Sequence, residues 1–326
     1  MKKLVLFMAG ILLVGIILWQ ADFSQVFKVL KDFSFASLLF VCLLQLLTIL
    51  LLNLQWYKIS LDMGEKVFFK DFVYMNIVGT FVESITPSAK AGGEATKVYL
   101  LKNKMGFSTG KAAALVAVQK TISLLAFLFL NILSMGWFVA SVKMEGLQVQ
   151  IIFGSFLFLT VVLLVLILLI LYPSKLLNFI RGLSIKKTWV EKLYDILVTL
   201  EATVRDMLKR KKQLLWQLTL SVVIWLLFSV KAYLIAKGLN IQLSFIGVAV
   251  ITYLTYMIGM LPLLPGGVGT FEGSMVFFLL PLGITSHEGI ALALILRFVT
   301  FWLVFLLSAL CLGGQQLMKL QNFYSH

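Results

Sequence analysis

The sequence predicts an all-α polytopic membrane protein with about six crossing helices and two re-entrant helix pairs, related as an inverted repeat. Three observations lead there. The 326 residues are 61% hydrophobic and 13% charged, with a mean hydropathy of +1.02. Soluble domains hold about 45–50% apolar and about 25% charged residues. Apolar runs recur that reach the ~20 residues needed to cross hydrocarbon. Two Pro/Gly-broken segments interrupt that pattern at matching places. A chain this apolar cannot cover its excess with its own polar surface, so lipid is its solvent.

Taken in order, residues 4–19 follow Met1, Lys2 and Lys3. A basic start and an apolar core also describe a signal peptide. The run is long, however, and no small-x-small cleavage site precedes Asp22, so it is read as a retained first span. Further runs cover 36–56, 68–86, 112–140 and 149–172, the last ended by Pro173. Residues 186–212 carry Trp189, Leu193, Leu197, Leu200, Val204 and Leu208 at three- and four-residue spacing among charged positions. That pattern is an amphipathic helix on the membrane surface, either a plain elbow between two halves or a binder of anionic lipid. The remaining runs are 214–237, 243–261, 270–282 and 287–312. The chain reads as one transmembrane domain, 1–326, with halves at about 1–172 and 213–326 and a linker at about 173–212.

Net charge is +14. The basic residues cluster between apolar runs, which points to cytoplasmic loops and not to nucleic acid. The run Lys209-Arg210-Lys211-Lys212 fixes its loop inside, and Lys90, Lys97, Lys102, Lys104 and Lys111 place 88–111 there too. Working outward from these, 68–86 must begin and end on one side, so it dips in and turns back around 87–93. The pair 243–261 and 270–282 does the same from the opposite face, breaking at 262–269. Both termini are then cytoplasmic, in a plasma or bacterial inner membrane.

The two broken regions also match in sequence. Gly106-Phe107-Ser108 and Gly283-Ile284-Thr285 each precede an Ala-rich helix. Aligning the two glycines sets Ala114-Leu115 on Ala291-Leu292 and Lys120 on Arg297. Opposite topology with matching motifs describes an inverted repeat, a common transporter plan.

Backbone left bare in lipid must line a cavity or be buried in protein. The stretch Pro262-Leu263-Leu264-Pro265-Gly266-Gly267-Val268-Gly269 therefore marks either a ligand site or a structural kink. The helix after it points its positive end at the gap, which suits phosphate or carboxylate. Ionisable residues in spans are costly and point to function or pairing. Glu94, Lys120, Glu272 and Arg297 stand out, with Arg297 able to grip a phosphate bidentately. Two readings stand for them: ligand binding, or two salt bridges joining the halves. Glu83 lies near the same cluster, Lys231 and Lys237 can snorkel outward, and Asn53, Gln55 and Asn131 suit interhelical hydrogen bonds. Cys42 and Cys311 read as small hydrophobes. Two histidines, His287 and His326, offer no metal-ligand spacing. No Walker loop or nucleophile–histidine arrangement appears.

At the broken-helix motifs the chain resembles the transmembrane domain of the lysylphosphatidylglycerol synthase family. The matching residues are Pro87, Gly92, Gly93 and Glu94, the basic loop with Gly106-Phe107-Ser108, and Pro262, Pro265, Gly266, Gly267, Gly269 and Glu272 followed by Arg297. The resemblance spans essentially the whole chain; Lys120 departs from it, standing where an arginine is expected. In bifunctional relatives this domain resembles a lipid flippase followed by a soluble lysyl-transfer domain. This chain stops at His326, so no synthase activity is expected.

The resemblance implies movement of an anionic, aminoacylated or polyprenyl-phosphate-linked lipid between leaflets. The expected site holds Arg297, Lys120, Glu94, Glu272, Gly92, Gly93, Pro262, Pro265, Gly266, Gly267 and Gly269. No cofactor is expected. Expected partners are the membrane lipid, a separate lipid synthase and a second copy of the chain. A small-solute or ion transporter and a non-catalytic partner of a synthase are the rival readings.

Overall fold

The computed structural model describes residues 23–86, 91–141, 146–171, 187–261 and 267–324. The expected first span at 4–19 lies outside these. Twelve helices are described: α1 (Phe23–Asp32), α2 (Phe35–Asp62), α3 (Phe69–Ile85), α4 (Ala91–Met105), α5 (Thr109–Ser141), α6 (Gly146–Leu171), α7 (Lys187–Lys209), α8 (Lys211–Gly238), α9 (Phe245–Gly259), α10 (Thr270–Leu279), α11 (Ser286–Arg297) and α12 (Leu303–Tyr324). No strand occurs among the described residues.

Length and composition let four helical stretches cross a membrane: α2, α5, α8, and α11 continued into α12. The 26-residue α6 is apolar along its length. By contrast α3, α4, α9 and α10 have 17, 15, 15 and 10 residues. At about 1.5 Å per residue each falls short of ~30 Å of hydrocarbon. They pack as two pairs, α3 on α4 and α9 on α10.

Local sequence sets the helix starts. The Ser34 and Ser244 hydroxyls accept the Ser37 and Gly247 N–H groups at 3.1 Å each, satisfying donors that a helix start leaves free. At α11, Thr285 N–H and its hydroxyl both donate to the Glu288 carboxylate, which ties the first turn to the residue before it.

The stretch 287–312 falls within one candidate span, Ser286–Gly314, that is irregular inside. A π turn over Phe298–Trp302 separates α11 from α12, and α12 runs on to Tyr324. Its sequence holds no proline to stop it. On α7 the inward positions are Leu200, Val204 and Met207, whereas Leu208 is 46% exposed. The covered face of α7 packs on α5. Gly110 permits the approach: a Cβ there would meet Thr199 Cβ at 2.5 Å and Ile196 O at 2.7 Å.

Among the described residues two large buried cores result, with a small third one joining Val26 of α1 to Ile290 of α11. One joins α2 through the first part of α5 and takes in Leu200, Val204 and Met207 of α7. The other joins the rest of α5 to α8, α9, α10 and α11. The long helix α5 passes through both.

Helices α2 and α8 run antiparallel. Gln45 meets Lys231, Gln55 meets Ser221 and Gln217, and Asp62 meets Gln217, so position rises on one as it falls on the other. Gln55 also accepts from Gln119 of α5 at 3.2 Å, and Asn76 of α3 donates to Asn53 at 3.0 Å. Such interhelical bonds contribute about 1 kcal/mol each in a bilayer. Asn131 instead bonds its own helix, its amide donating to Phe127 O at 2.9 Å. Lys231 also departs from expectation. It is fully buried, its amine donating to Gln45 Oε1 and, at 3.1 Å, to Thr48 Oγ1 of α2 while lying 4.1 Å over the Phe228 ring. Acceptors one turn apart on α2 draw it inward where lipid would have driven it outward. Lys237, one and a half turns on, is exposed.

Candidate functional site: two carboxylate–cation pairs

The first site gathers at the start of α4. Gly92 and Gly93 let α4 close against α3. A Cβ on Gly92 would lie 2.6 Å from Thr86 Oγ1. One on Gly93 would lie 2.7 Å from Gly79 O and 2.8 Å from Glu83 Cβ. Glu83 is thus beside this turn, as expected. Glu94 follows, and its Oε1 receives Lys120 of α5 at 3.2 Å and Lys97 of α4 at 3.3 Å.

Sequence reasoning missed Lys97, which it placed among cytoplasmic loop lysines. Lys97 is 6% exposed, 5.0 Å over the Trp56 ring, with its stem in a slot left by Gly79. The i, i+3 spacing from Glu94 and the facing glycine were the available signals. Lys120 keeps 38% of its side chain exposed, so this site is partly open.

The second site gathers at the start of α10. Gly267 and Gly269 take φ of +67° and +82°, a region that disfavours other residues. Pro262, Pro265 and Gly266 lie outside the described residues. Glu272 in the first turn accepts the Gly269 N–H through Oε2 at 2.7 Å. Its Oε1 lies 3.4 Å from Arg297 Nε.

The Arg297 guanidinium is flanked by Phe271 and Phe301, 5.2 and 4.9 Å from its carbon to the ring centres. Tyr256 stacks edge-on against Phe271, and its hydroxyl donates to Thr300 within the π turn at 3.0 Å. Arg297 and Glu272 expose only 7% and 9% of their side chains, so this site is closed. Insertions of this kind in a helix recur at functional positions.

The structure therefore joins Glu94 to Lys120 and Glu272 to Arg297. The expectation of bridges between the halves is corrected: each pair closes within its own half, because each acid stands at a break whose next long helix carries the cation. An aromatic chain runs between the sites. Phe301 contacts Trp302 (5.1 Å), Trp302 contacts Phe305 (6.3 Å), and Phe305 stacks on Phe81 of α3 (5.7 Å), two residues before Glu83. Among the described residues no group of three His, Cys, Asp or Glu side chains could hold a metal.

The helix starts agree as well. Gly106 and Gly283 take φ of +75° and +80°. Ser108 then accepts the Lys111 N–H at the start of α5, and the Glu288 carboxylate accepts the Thr285 N–H at the start of α11, and Ala114, Leu115, Ala291 and Leu292 are all buried.

Comparison with known proteins places the chain in a family. The chain is 25% identical to a UPF0104 membrane protein of Methanothermobacter thermautotrophicus, covering 93% of this chain and 92% of the relative. It is 27% identical to one of Methanocaldococcus jannaschii (92% and 91%) and 23% identical to one of Pyrococcus horikoshii (95% and 96%). Residues 3–308 match the profile of the lysylphosphatidylglycerol synthase TM region. With the broken helices and their charged residues in place across that span, the chain belongs to the lysylphosphatidylglycerol synthase transmembrane family, a membrane-protein family linked to lipid biology.

Proposed function

We propose that this chain is a lipid translocase. It moves an anionic or aminoacylated phospholipid, or a polyprenyl-phosphate-linked lipid, between leaflets and performs no chemical step on it. The carrying observation is the double duty of Glu272. Its carboxylate takes Arg297 and a helix-start N–H at once, and these are the two groups a lipid phosphate would use. In this reading Glu272 is an internal stand-in for the head group, and Arg297 passes from carboxylate to phosphate when lipid enters. A stability role alone is a weak account, since apolar side chains often replace a buried ion pair without loss.

The short pairs α3–α4 and α9–α10 are read as re-entrant from opposite faces, with both termini cytoplasmic in a plasma or inner membrane. A separate synthase supplies the lipid.

The test is lipid translocation by purified variants in proteoliposomes. Arg297→Ala is expected to slow it by about tenfold or more, the loss of one charge-assisted contact. That variant strands a buried carboxylate, at a cost of about 3–5 kcal/mol. The double variant Arg297→Gln/Glu272→Gln removes both charges and is expected to fold yet stay slow. Native-rate translocation in the folded double variant would refute the head-group role. Transport of a water-soluble anion without lipid movement would favour the small-solute transporter.

A further inference from the structure

We infer that the docking site for a phosphate-bearing head group is in the first half. Lys97 and Lys120 are its ligands, and Glu94 occupies their place until lipid arrives. The inference rests on the translocase reading and assigns its binding step to a site that includes a residue outside the sequence-derived set.

Three observations carry it. Both ammonium groups converge on one oxygen, Glu94 Oε1, from two different helices. The other oxygen, Oε2, is buried and has no hydrogen-bond partner among the described residues. A carboxylate placed only for stability would use both oxygens, because a buried unsatisfied acceptor costs about 1–3 kcal/mol. Two cations meeting at one point suit a phosphate, whose several oxygens can take each lysine separately.

Access separates the two sites. Lys120 is 38% exposed, whereas the Arg297–Glu272 pair is closed. The first site can therefore receive a head group in this state.

Lys97 is held for the task. Its stem crosses Gly79, where a Cβ would lie 2.8 Å from Cε, and its amine lies over Trp56. Because Lys97 is on α4 and Lys120 on α5, exchanging carboxylate for phosphate would rearrange contacts between these helices.

The experiment measures binding apart from transport. Short-chain phosphatidylglycerol, a neutral glycosyldiacylglycerol of equal chain length, and inorganic phosphate are each titrated onto the purified full chain in detergent, read by calorimetry. Phosphatidylglycerol is expected to bind and the neutral lipid not. Competition by inorganic phosphate alone would mark a free-anion site; competition only at far higher concentration marks a lipid site, as inferred here.

Glu94→Gln is expected to tighten binding and Lys97→Met to weaken it, each by about tenfold. Gly79→Ala keeps every charge and displaces only the Lys97 stem, so it should weaken binding in a protein whose unfolding midpoint is retained. No binding to native protein, weaker binding in folded Glu94→Gln, or native affinity in both Lys97→Met and Gly79→Ala would overturn the inference. Normal translocation with these failures would leave the translocase standing; normal binding with no translocation would sink the translocase alone.

Discussion

Lys97 and Lys231 were both misplaced by reading lysine as a surface residue. Each is buried because another helix supplies partners, Glu94 and Trp56 for one, Gln45 and Thr48 for the other. That information lies in tertiary contacts and is invisible in the helix carrying the lysine. Glu94, Lys120, Glu272 and Arg297 were legible because a charge inside an apolar run needs a partner wherever the run folds; which acid meets which cation was not. Lys231→Met is expected to destabilise, since it strands the buried Gln45 carbonyl at a cost of about 1–3 kcal/mol. Adding Gln45→Leu should return much of the loss. Thermal unfolding in detergent reads both, and equal midpoints for the single and double variants would show that the contact contributes nothing.

At the scale of elements, the apolar runs located α2, α3, α5, α6 and α8 to α12, since the bilayer demands continuous apolar length, whereas α1 and α4 lie outside those runs and α7 was legible only from its amphipathic spacing. Their interruptions were less legible. The π turn after Arg297 depends on Tyr256 reaching Thr300 from α9, which no local pattern encodes. On α7 the side that meets α5 carries Met207 with Leu200 and Val204, while Leu208 stays exposed; spacing alone does not separate 207 from 208, and only the position of α5 decides which is covered. The glycines give a graded test of packing. Gly93→Ala meets backbone, Gly79 O, and should cost about 1–3 kcal/mol by forcing α3 from α4. Gly136→Ala meets nothing within 4 Å and should stabilise α5 by about 0.5–1 kcal/mol. Equal unfolding midpoints for these two variants would show that the α3–α4 contact is not tight.

Across the whole molecule the contacts come in corresponding sets. Helix α3 packs on α4 as α9 packs on α10, and α4 meets α5 as α10 meets α11. The first pair is crossed by the last helix, α12 on α3, and the second by α5 on α9. The antiparallel helices α2 and α8 lie between. The amphipathic α1 and α7 pack on α11 and α5 respectively. The two halves thus pair element by element in their contacts, with α1 and α7 included. In the proposed translocase the two charged sites, one open at Lys120 and one closed at Arg297, serve as head-group stations, with the aromatic chain from Phe301 to Phe81 between them. Intermediacy in space is not itself coupling, so the central claim is better tested through the lipid. The measurement is loss of fluorescence from tail-labelled lipids in proteoliposomes when a membrane-impermeant reductant is added. Native protein should expose the inner-leaflet pool of labelled phosphatidylglycerol at least about tenfold faster than protein-free vesicles, and leave a neutral glycolipid of equal chain length unaccelerated. Equal acceleration of both lipids, or of neither, would contradict a translocase that holds its cargo by the phosphate.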